Sequence, residues 1–457
     1  MTHHDSLFNK RVAVLGFARQ GKALARWLPA VGAQVVVSDS RTAETLRTET
    51  ASFPDVEFVL GGHPESLLDG VDVLCLSGGV PMELPIVQAA LARGMRLTND
   101  AQLFLERCPA PVIGITGSAG KTTTTTLTGD ILRRAGFRTW IGGNIGDVLL
   151  DVLDVITQDD RVVMELSSFQ LDLMTTSPTI AAVLNITPNH LDRHGTMEAY
   201  TQAKANIVRY QKAGNFAVLG YDDAGSRDLA ALLPCEPVWF SGRDLVPNGA
   251  FLAGQRLALV GTASPDGDSY VICEKGDIPL RGDHNVLNVL AACAITGVAG
   301  VSPDVMASAI RDFKAVAHRL ETVRVLNGVT YVNDSIATAP ERVVAALHSY
   351  TEPLILLAGG KDKNLPWEDM IRLALRVSRH IVAFGQAGQI VADMVAQVSG
   401  SDAQVTRVAT LAEAVREAAA WAQSGDVVLL SPGGTSYDAY PDFVARGEHF
   451  RQLVMTL

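Results

Sequence analysis

The densest chemistry in the sequence lies in Gly117-Ser118-Ala119-Gly120-Lys121-Thr122-Thr123, which follows the apolar run Val112-Ile113-Gly114-Ile115 and opens a helix. In such a turn the glycines let backbone N–H groups close on phosphate oxygens, and the helix N-terminus adds a favourable dipole. Lys121 supplies a point charge and the Thr122 hydroxyl a ligand for Mg²⁺. The stricter pattern G-x-x-x-x-G-K-[ST] is not met, since Ile115 stands where its first glycine belongs; the loop is a shorter T-G-x-x-G-K-T form. Glu165 closes the apolar run Arg161-Val162-Val163-Met164. A carboxylate buried there needs a cation or donors, so either a salt bridge or a Mg²⁺ beside the phosphates is expected, and the metal role is preferred. His190, where the run Ala181–Ile186 exits, suits a ligand or orienter near the phosphates. The spacing His190-x-Asp192-x-His194 is zinc-like, but no cysteine or second carboxylate cluster accompanies it, and His194 reads as an exposed loop residue. Asn144, in Gly142-Gly143-Asn144-Ile145-Gly146, offers an amide amid flexible backbone. Lys204, flanked by Ala203 and Ala205, reads on physical grounds as a solvated lysine of a helix.

These residues need strands to carry them. Pro111–Ile115, Arg161–Glu165 and Ala181–Leu184 read as buried strands, with helices over Thr122–Arg134 and Met197–Tyr210. Upstream, Arg11–Gly16, a helix from Lys22 to Ala30 and the strand Gln34–Ser38 make a Rossmann-like βαβ unit, with Asp39 near the place of a ribose ligand. Ala18 replaces the middle glycine of that fingerprint, which weakens a dinucleotide reading. Ser40 and Arg41 follow the second strand, and Ser77-Gly78-Gly79 follows Val71–Leu76; both turns lie at the strand ends where open α/β sheets bind ligands. Downstream, Asp283 or Asn285 is expected to cap an alanine-rich helix. Asn288, one turn inside it, can present an amide to a base. Thr330–Ser335, Pro353–Ala358, Ile381–Phe384 and Val427–Leu430 read as the strands of a last α/β domain. The expected fold is α/β in three domains: a Rossmann-like N-terminal domain over 1–99, a central P-loop-type mononucleotide-binding domain over 100–316, and a C-terminal Rossmann-like domain over 317–457.

Bulk properties agree with a compact multidomain protein: 457 residues, 47% hydrophobic and 19% charged. A net charge of −11 argues against nucleic-acid and anionic-membrane partners. Five cysteines without a CxxC pair suggest reduced, buried thiols and a cytoplasmic setting. No signal peptide and no apolar run long enough to span a membrane is read from the sequence.

In order along the chain, T-G-x-x-G-K-T-T, G-G-N-I-G, E-L-S-S-F-Q-L, L-N-I-T-x-x-H-L-D-R, A-K, H-N-V-x-N, H-R-x-E and N-D-S-x-A-T resemble the Mur ligases over nearly the whole length. The resemblance implies an ATP-dependent acid–amino-acid ligase of peptidoglycan precursor synthesis. Such an enzyme adds glutamate, D-glutamate favoured, to UDP-MurNAc-L-alanine through an acyl phosphate. It implies ATP and two Mg²⁺ ions, small-molecule partners and a monomer. Carried over by motif, residues 117–123 hold the ATP phosphates, with Lys121 on the β/γ pair. Thr122 and Glu165 bind one Mg²⁺, while His190 and a carbamylated Lys204 bind the other. Asn144 contacts the activated carboxylate. Asn288, Arg319 and Asp334 engage adenine, phosphate and ribose, with Asn285 nearby. Asp39, Ser40, Arg41, Ser77 and Gly79 take the uridine diphosphate part. Thr338, Lys363, Ser436 and Phe443 take glutamate.

Three departures stand out. Ser118-Ala119-Gly120-Lys121 replaces the usual T-N-G-K or S-N-G-K, L-S-G-G replaces L-S-P-G, and N-D-S-I-A-T replaces N-D-S-K-A-T. Ile336 removes a cation expected at the amino acid; Lys361 or Lys363 can supply one, and L-glutamate remains an alternative. Other readings are a folylpolyglutamate-type ligase, an NAD(P)-dependent dehydrogenase using the first domain, and a nucleotide-binding module without catalysis.

Overall fold

A computed structural model describes residues 5–146, 148–189, 191–314, 316–363, 365–400 and 404–457, the side chain of Asp192 excepted. Short apolar, β-branched runs such as Val12-Ala13-Val14-Leu15 and Val35-Val36-Val37 are buried on both faces, the condition for parallel strands covered by helices. They form a five-stranded parallel sheet from β1 (Arg11–Leu15), β2 (Gln34–Asp39), β3 (Val56–Leu60), β4 (Val73–Leu76) and β5 (Arg96–Thr98), ordered β3-β2-β1-β4-β5. The order reverses direction between β1 and β4, which makes their carboxyl ends a topological switch point.

A nine-stranded sheet follows. Its strands are β6 (Val112–Thr116), β7 (Thr139–Gly143), β8 (Arg161–Glu165), β9 (Ile180–Val183), β10 (Phe216–Gly220), β11 (Val238–Ser241), β12 (Gly249–Ala253), β13 (Arg256–Gly261) and β14 (Gly267–Glu274). In space they run β14-β13-β12-β11-β10-β9-β6-β8-β7, antiparallel only among β12, β13 and β14. The third sheet has six strands: β15 (Glu321–Leu326), β16 (Val329–Asn333), β17 (Leu354–Gly359), β18 (Ser378–Phe384), β19 (Val405–Arg407) and β20 (Val427–Gly433). Their order is β15-β16-β20-β17-β18-β19, antiparallel only between β15 and β16. The α/β class and the three mostly parallel sheets are as expected from the sequence.

By contacts the chain divides into two compact units, residues 1–277 with 286–312, and residues 278–285 with 313–457. The first unit holds the first two sheets and the second unit the third, so residues 278–285 and 313–316 group with the last sheet although they precede position 317.

Polar residues stop and start the helices where propensity asks. Asn99, Thr196 and Asp442 each accept the N–H three residues on, and Ser167 with Gln170 and Thr410 with Glu413 form capping boxes. The helix Asp283–Val298 differs from expectation. It already includes Asp283 and Asn285, and the Asn285 amide donates to the Arg281 carbonyl at 2.7 Å, so Asn285 is a donor inside the first turn and not an N-cap acceptor. None of the described helices is long and apolar enough to cross a membrane.

Candidate active site

In the first unit, β6 ends in Thr116 and the helix Lys121–Arg134 begins after a turn whose last residue, Gly120, has φ +84°. That backbone is left-handed, and a Cβ there would lie 2.2 Å from Asn288 Oδ1, so only glycine fits. Asn288 is thus packed under the loop and also accepts from the Thr124 hydroxyl at 3.5 Å. The Ala119 N–H donates to Asn185 Oδ1 at 2.9 Å, and the Asn185 amide returns a bond to the Ala119 carbonyl. Ser118 Oγ meets the Tyr200 hydroxyl at 3.0 Å and accepts from the Thr187 N–H at 2.9 Å. Asn185 and Tyr200 were not singled out from sequence; each brings a polar side chain back to the loop from a strand exit or a helix, a relation no local pattern carries.

Lys121 Nζ donates to the Gly117 and Ser118 carbonyls at 2.7 and 3.3 Å. Lys204 Nζ reaches the same Gly117 carbonyl at 3.0 Å and Thr116 Oγ1 at 3.3 Å, and lies 4.8 Å from the centre of the Tyr200 ring. Lys204 is 1% exposed, so the solvated face expected for an Ala-Lys-Ala helix segment is wrong. Its helix Met197–Arg209 turns this side inward because Tyr200, Ala203, Ile207 and Val208 are buried with it. Burial, with the charge of Lys121, holds the Lys204 amine well below the usual lysine range, against the pull of Glu165.

Glu165 is also 1% exposed, at the end of β8. Its oxygens accept from the Thr122 hydroxyl at 2.9 Å and the Asn144 amide at 2.8 Å. The salt bridge considered for it is not among the ion pairs of the described residues; both partners are neutral. A buried carboxylate satisfied by neutral donors, beside a hydroxyl and a loop that collects phosphates, fits a hard divalent cation. The structure therefore joins Gly117–Thr123, Asn144, Glu165, Lys204 and Asn288. His190 lies outside the described residues. His194 is not the exposed loop residue expected: it is half-buried, meets Ser168 Oγ at 2.9 Å and stacks on Phe169 with centroids 5.1 Å apart.

At the switch point of the first sheet, Gly16 has φ +88° and a Cβ on it would lie 2.2 Å from Ser77 Oγ, so the two turns close on each other. The Asp39 carboxylate accepts from the N–H groups of Phe17 and Arg41 and from two guanidinium nitrogens of Arg41, at 2.7–3.0 Å. Burial would raise this carboxyl, but Arg41 and the two N–H groups outweigh it and bring it down to about 2. Asp39 is spent on holding its own loop, which leaves the dehydrogenase reading without its ribose ligand. Ser40 and Gly79 are exposed and Ser77 is buried. A cleft of this unit opens from Ser77 and Gly78 to Phe169, Gln170, Arg193 and His194. Arg19, also missed from sequence, donates to the carbonyls of Gly143 and Asn144 at 3.2 and 3.0 Å and to that of Gly146. It ties the first helix to the loop that carries Asn144.

In the second unit, Asp334 follows β16 and is buried. Its carboxylate accepts from Ser431 Oγ at 2.7 Å and the Leu320 N–H at 3.3 Å. Burial pushes its pKa up to about 7, against Ser431, Arg319 and Leu320. Arg319 stands between two left-handed non-glycine residues, His318 (φ 63°) and Leu320 (φ 44°), a concentration of backbone strain typical of ligand loops. Lys363 Nζ donates to Thr338 Oγ1 at 3.4 Å. Ser436 is buried, and Phe443 is joined to this region through Ser335 and Arg446, which is 0% exposed. Its guanidinium donates to Ser335 Oγ and O at 3.0 and 2.9 Å and to the Gly434 carbonyl at 3.1 Å, while Ser335 Oγ donates to the Phe443 carbonyl. The signal for Arg446 was present: Phe443, Gly447, Phe450 and Val454 follow helical spacing, and Arg446 falls on that stripe.

Fold and site together define an α/β nucleotide-dependent enzyme of the phosphate-loop type. Three family models match: the Mur ligase MurD-like N-terminal domain over residues 10–99, the Mur ligase middle domain over 115–296, and the Mur ligase glutamate ligase domain over 318–434. The chain is 42% identical over 454 residues to the UDP-N-acetylmuramoylalanine--D-glutamate ligase of Symbiobacterium thermophilum, covering 98% of both chains. It is 37% identical over 458 residues to the protein of the same name from Alkaliphilus metalliredigens, covering 99% of each. Among solved structures, the UDP-N-acetylmuramate-alanine ligase of Thermotoga maritima shares the fold at a TM-score of 0.61 and 17% identity, covering 98% of this chain and 99% of that one. The chain belongs to the Mur ligase family.

Proposed function

We propose that this protein joins D-glutamate to UDP-N-acetylmuramoyl-L-alanine at the expense of ATP, through an acyl phosphate, in peptidoglycan precursor synthesis. Full-length identity of 37–42% to ligases of that name supports the substrates. The observation that carries the chemistry is Glu165, buried and hydrogen-bonded to the neutral Thr122 hydroxyl and Asn144 amide beside the phosphate loop.

A carboxylate is a poor electrophile until one of its oxygens becomes a phosphate leaving group. The substrate carboxylate attacks the γ-phosphorus and ADP leaves. The free amine of glutamate then attacks the acyl carbon, loses a proton, and expels inorganic phosphate. Residues 117–123 hold the ATP phosphates, with Lys121 neutralising the charge that builds on the β/γ oxygens. Asn144 orients the carboxylate. Thr122 and Glu165 would hold one Mg²⁺, and His190 with a carbamylated Lys204 the second. These ions supply charge neutralisation at the transferring phosphoryl group. A carbamate needs an unprotonated amine, and the depressed Lys204 provides one. Asn285, Asn288, Arg319 and Asp334 complete the ATP ligands. The first-sheet turns with Asp39, Ser40, Arg41, Ser77 and Gly79 receive the uridine diphosphate part; Asp39 acts there by holding Arg41. Thr338, Lys363, Ser436 and Phe443 receive glutamate. The division 1–99, 100–316 and 317–457, a monomeric state and a cytoplasmic setting belong to the same reading.

Ile336 favours one second reading, ligation of L-glutamate, because an aliphatic side chain stands where a cation is expected. Phosphate release with UDP-MurNAc-L-alanine, ATP and either enantiomer decides it. Release with D-glutamate is expected; release with L-glutamate alone would overturn the enantiomer, and release with neither would overturn the function.

A further inference from the structure

The turn after Asp334 has two cations against it. Lys363 Nζ lies 3.4 Å from Thr338 Oγ1, and Arg342 Nη1 lies 3.4 Å from the Ile336 carbonyl. The turn is tight, with the Thr338 N–H donating to that same carbonyl at 2.9 Å. Arg342 sits in the first turn of the helix Pro340–Leu347 and is exposed. Its hydrogen bond goes to a neutral carbonyl, and no ion pair of the described residues uses it. Asp334 feels its charge but is bonded to Ser431 and Leu320 instead. Ile336, whose carbonyl takes the Arg342 bond, carries no charge of its own.

Glutamate whose amine is free to attack bears two carboxylates and no positive charge. A site that excludes water from an acyl phosphate must neutralise both carboxylates. We propose that Arg342 is a specificity-determining residue that takes one carboxylate of the incoming glutamate, while Lys363 takes the other. A guanidinium fork suits a carboxylate bidentately, whereas Ile336 offers only apolar contact to the chain between them. This rests on the glutamate site proposed above.

Steady-state kinetics on the full chain test it. Arg342→Ala is expected to raise KM for D-glutamate about tenfold or more, with KM for ATP and for UDP-MurNAc-L-alanine changed by less than about twofold. Arg342→Lys should fall between the two, and adding Ile336→Lys to Arg342→Ala should lower the glutamate KM again. An unchanged glutamate KM in Arg342→Ala, or a parallel rise in all the KM values, would overturn the assignment while leaving the ligase reading standing. Absence of glutamate-dependent phosphate release by the wild-type enzyme would remove both.

Discussion

Lys204 is the residue whose surroundings conflict most with its type. An ammonium 1% exposed, with carbonyl and hydroxyl acceptors, an aromatic face and no ion pair among the described residues, is costly to keep charged. The neutral amine can add CO₂, giving a carbamate and releasing a proton. That converts a misplaced cation into an anion beside Thr122 and Glu165. Formation consumes hydroxide in effect, so acidification reverses it and alkaline pH favours it. Enzyme depleted of CO₂ should therefore lose activity and regain it with added bicarbonate, which supplies CO₂ to the unprotonated amine. Lys204→Ala should be inactive with or without bicarbonate while keeping its melting temperature. Indifference of the wild-type enzyme to bicarbonate would argue against the modification. Little of this was legible from spacing. Ala-Lys-Ala on a helix is an ordinary solvated pattern, and the burial comes from Tyr200 on the same helix and Gly117 from another segment. Only the motif resemblance pointed to it. Glu165 was readable because a carboxylate ending an apolar strand is costly wherever the strand goes.

The elements that hold these side chains were mostly legible. The phosphate turn, its strand and its helix lie together in sequence, and Gly120 marks the left-handed residue that the turn needs. What escaped were supports from afar: Asn185 and Tyr200 under the phosphate loop, Arg19 on the Asn144 loop, and Arg446 in the second unit. Arg446 shows what such a support contributes. Its helix, Phe443–Met455, packs Phe450 and Val454 into the core, and the guanidinium on the same stripe clamps the turns of Ser335 and Gly434. Replacing it with methionine keeps much of the volume but leaves those acceptors buried without donors. Arg446→Met should lower the unfolding free energy by about 3 kcal/mol. Urea denaturation followed by tryptophan fluorescence reads this directly, since Trp367 is buried in the same unit. An unchanged midpoint would mean that the clamp contributes nothing to the turns.

At the scale of the whole chain, three parallel-rich sheets follow from three series of short apolar runs separated by helices, a pattern visible in the sequence. The boundaries were harder. The helix Asp283–Val298 is continuous in sequence and periodicity, yet its first turn groups with the last sheet, because grouping depends on contacts that a local pattern does not contain. The allocation of chemistry is clearer. The phosphate loop, Glu165 and Lys204 share one unit, and the turns proposed for glutamate share the other. The central claim is that the first of these sites activates a carboxylate by phosphorylating it. UDP-MurNAc-L-alanine labelled with ¹⁸O in its terminal carboxylate tests that claim. One labelled oxygen per turnover is expected in inorganic phosphate. Phosphate released without label, while the amide product still forms, would contradict it.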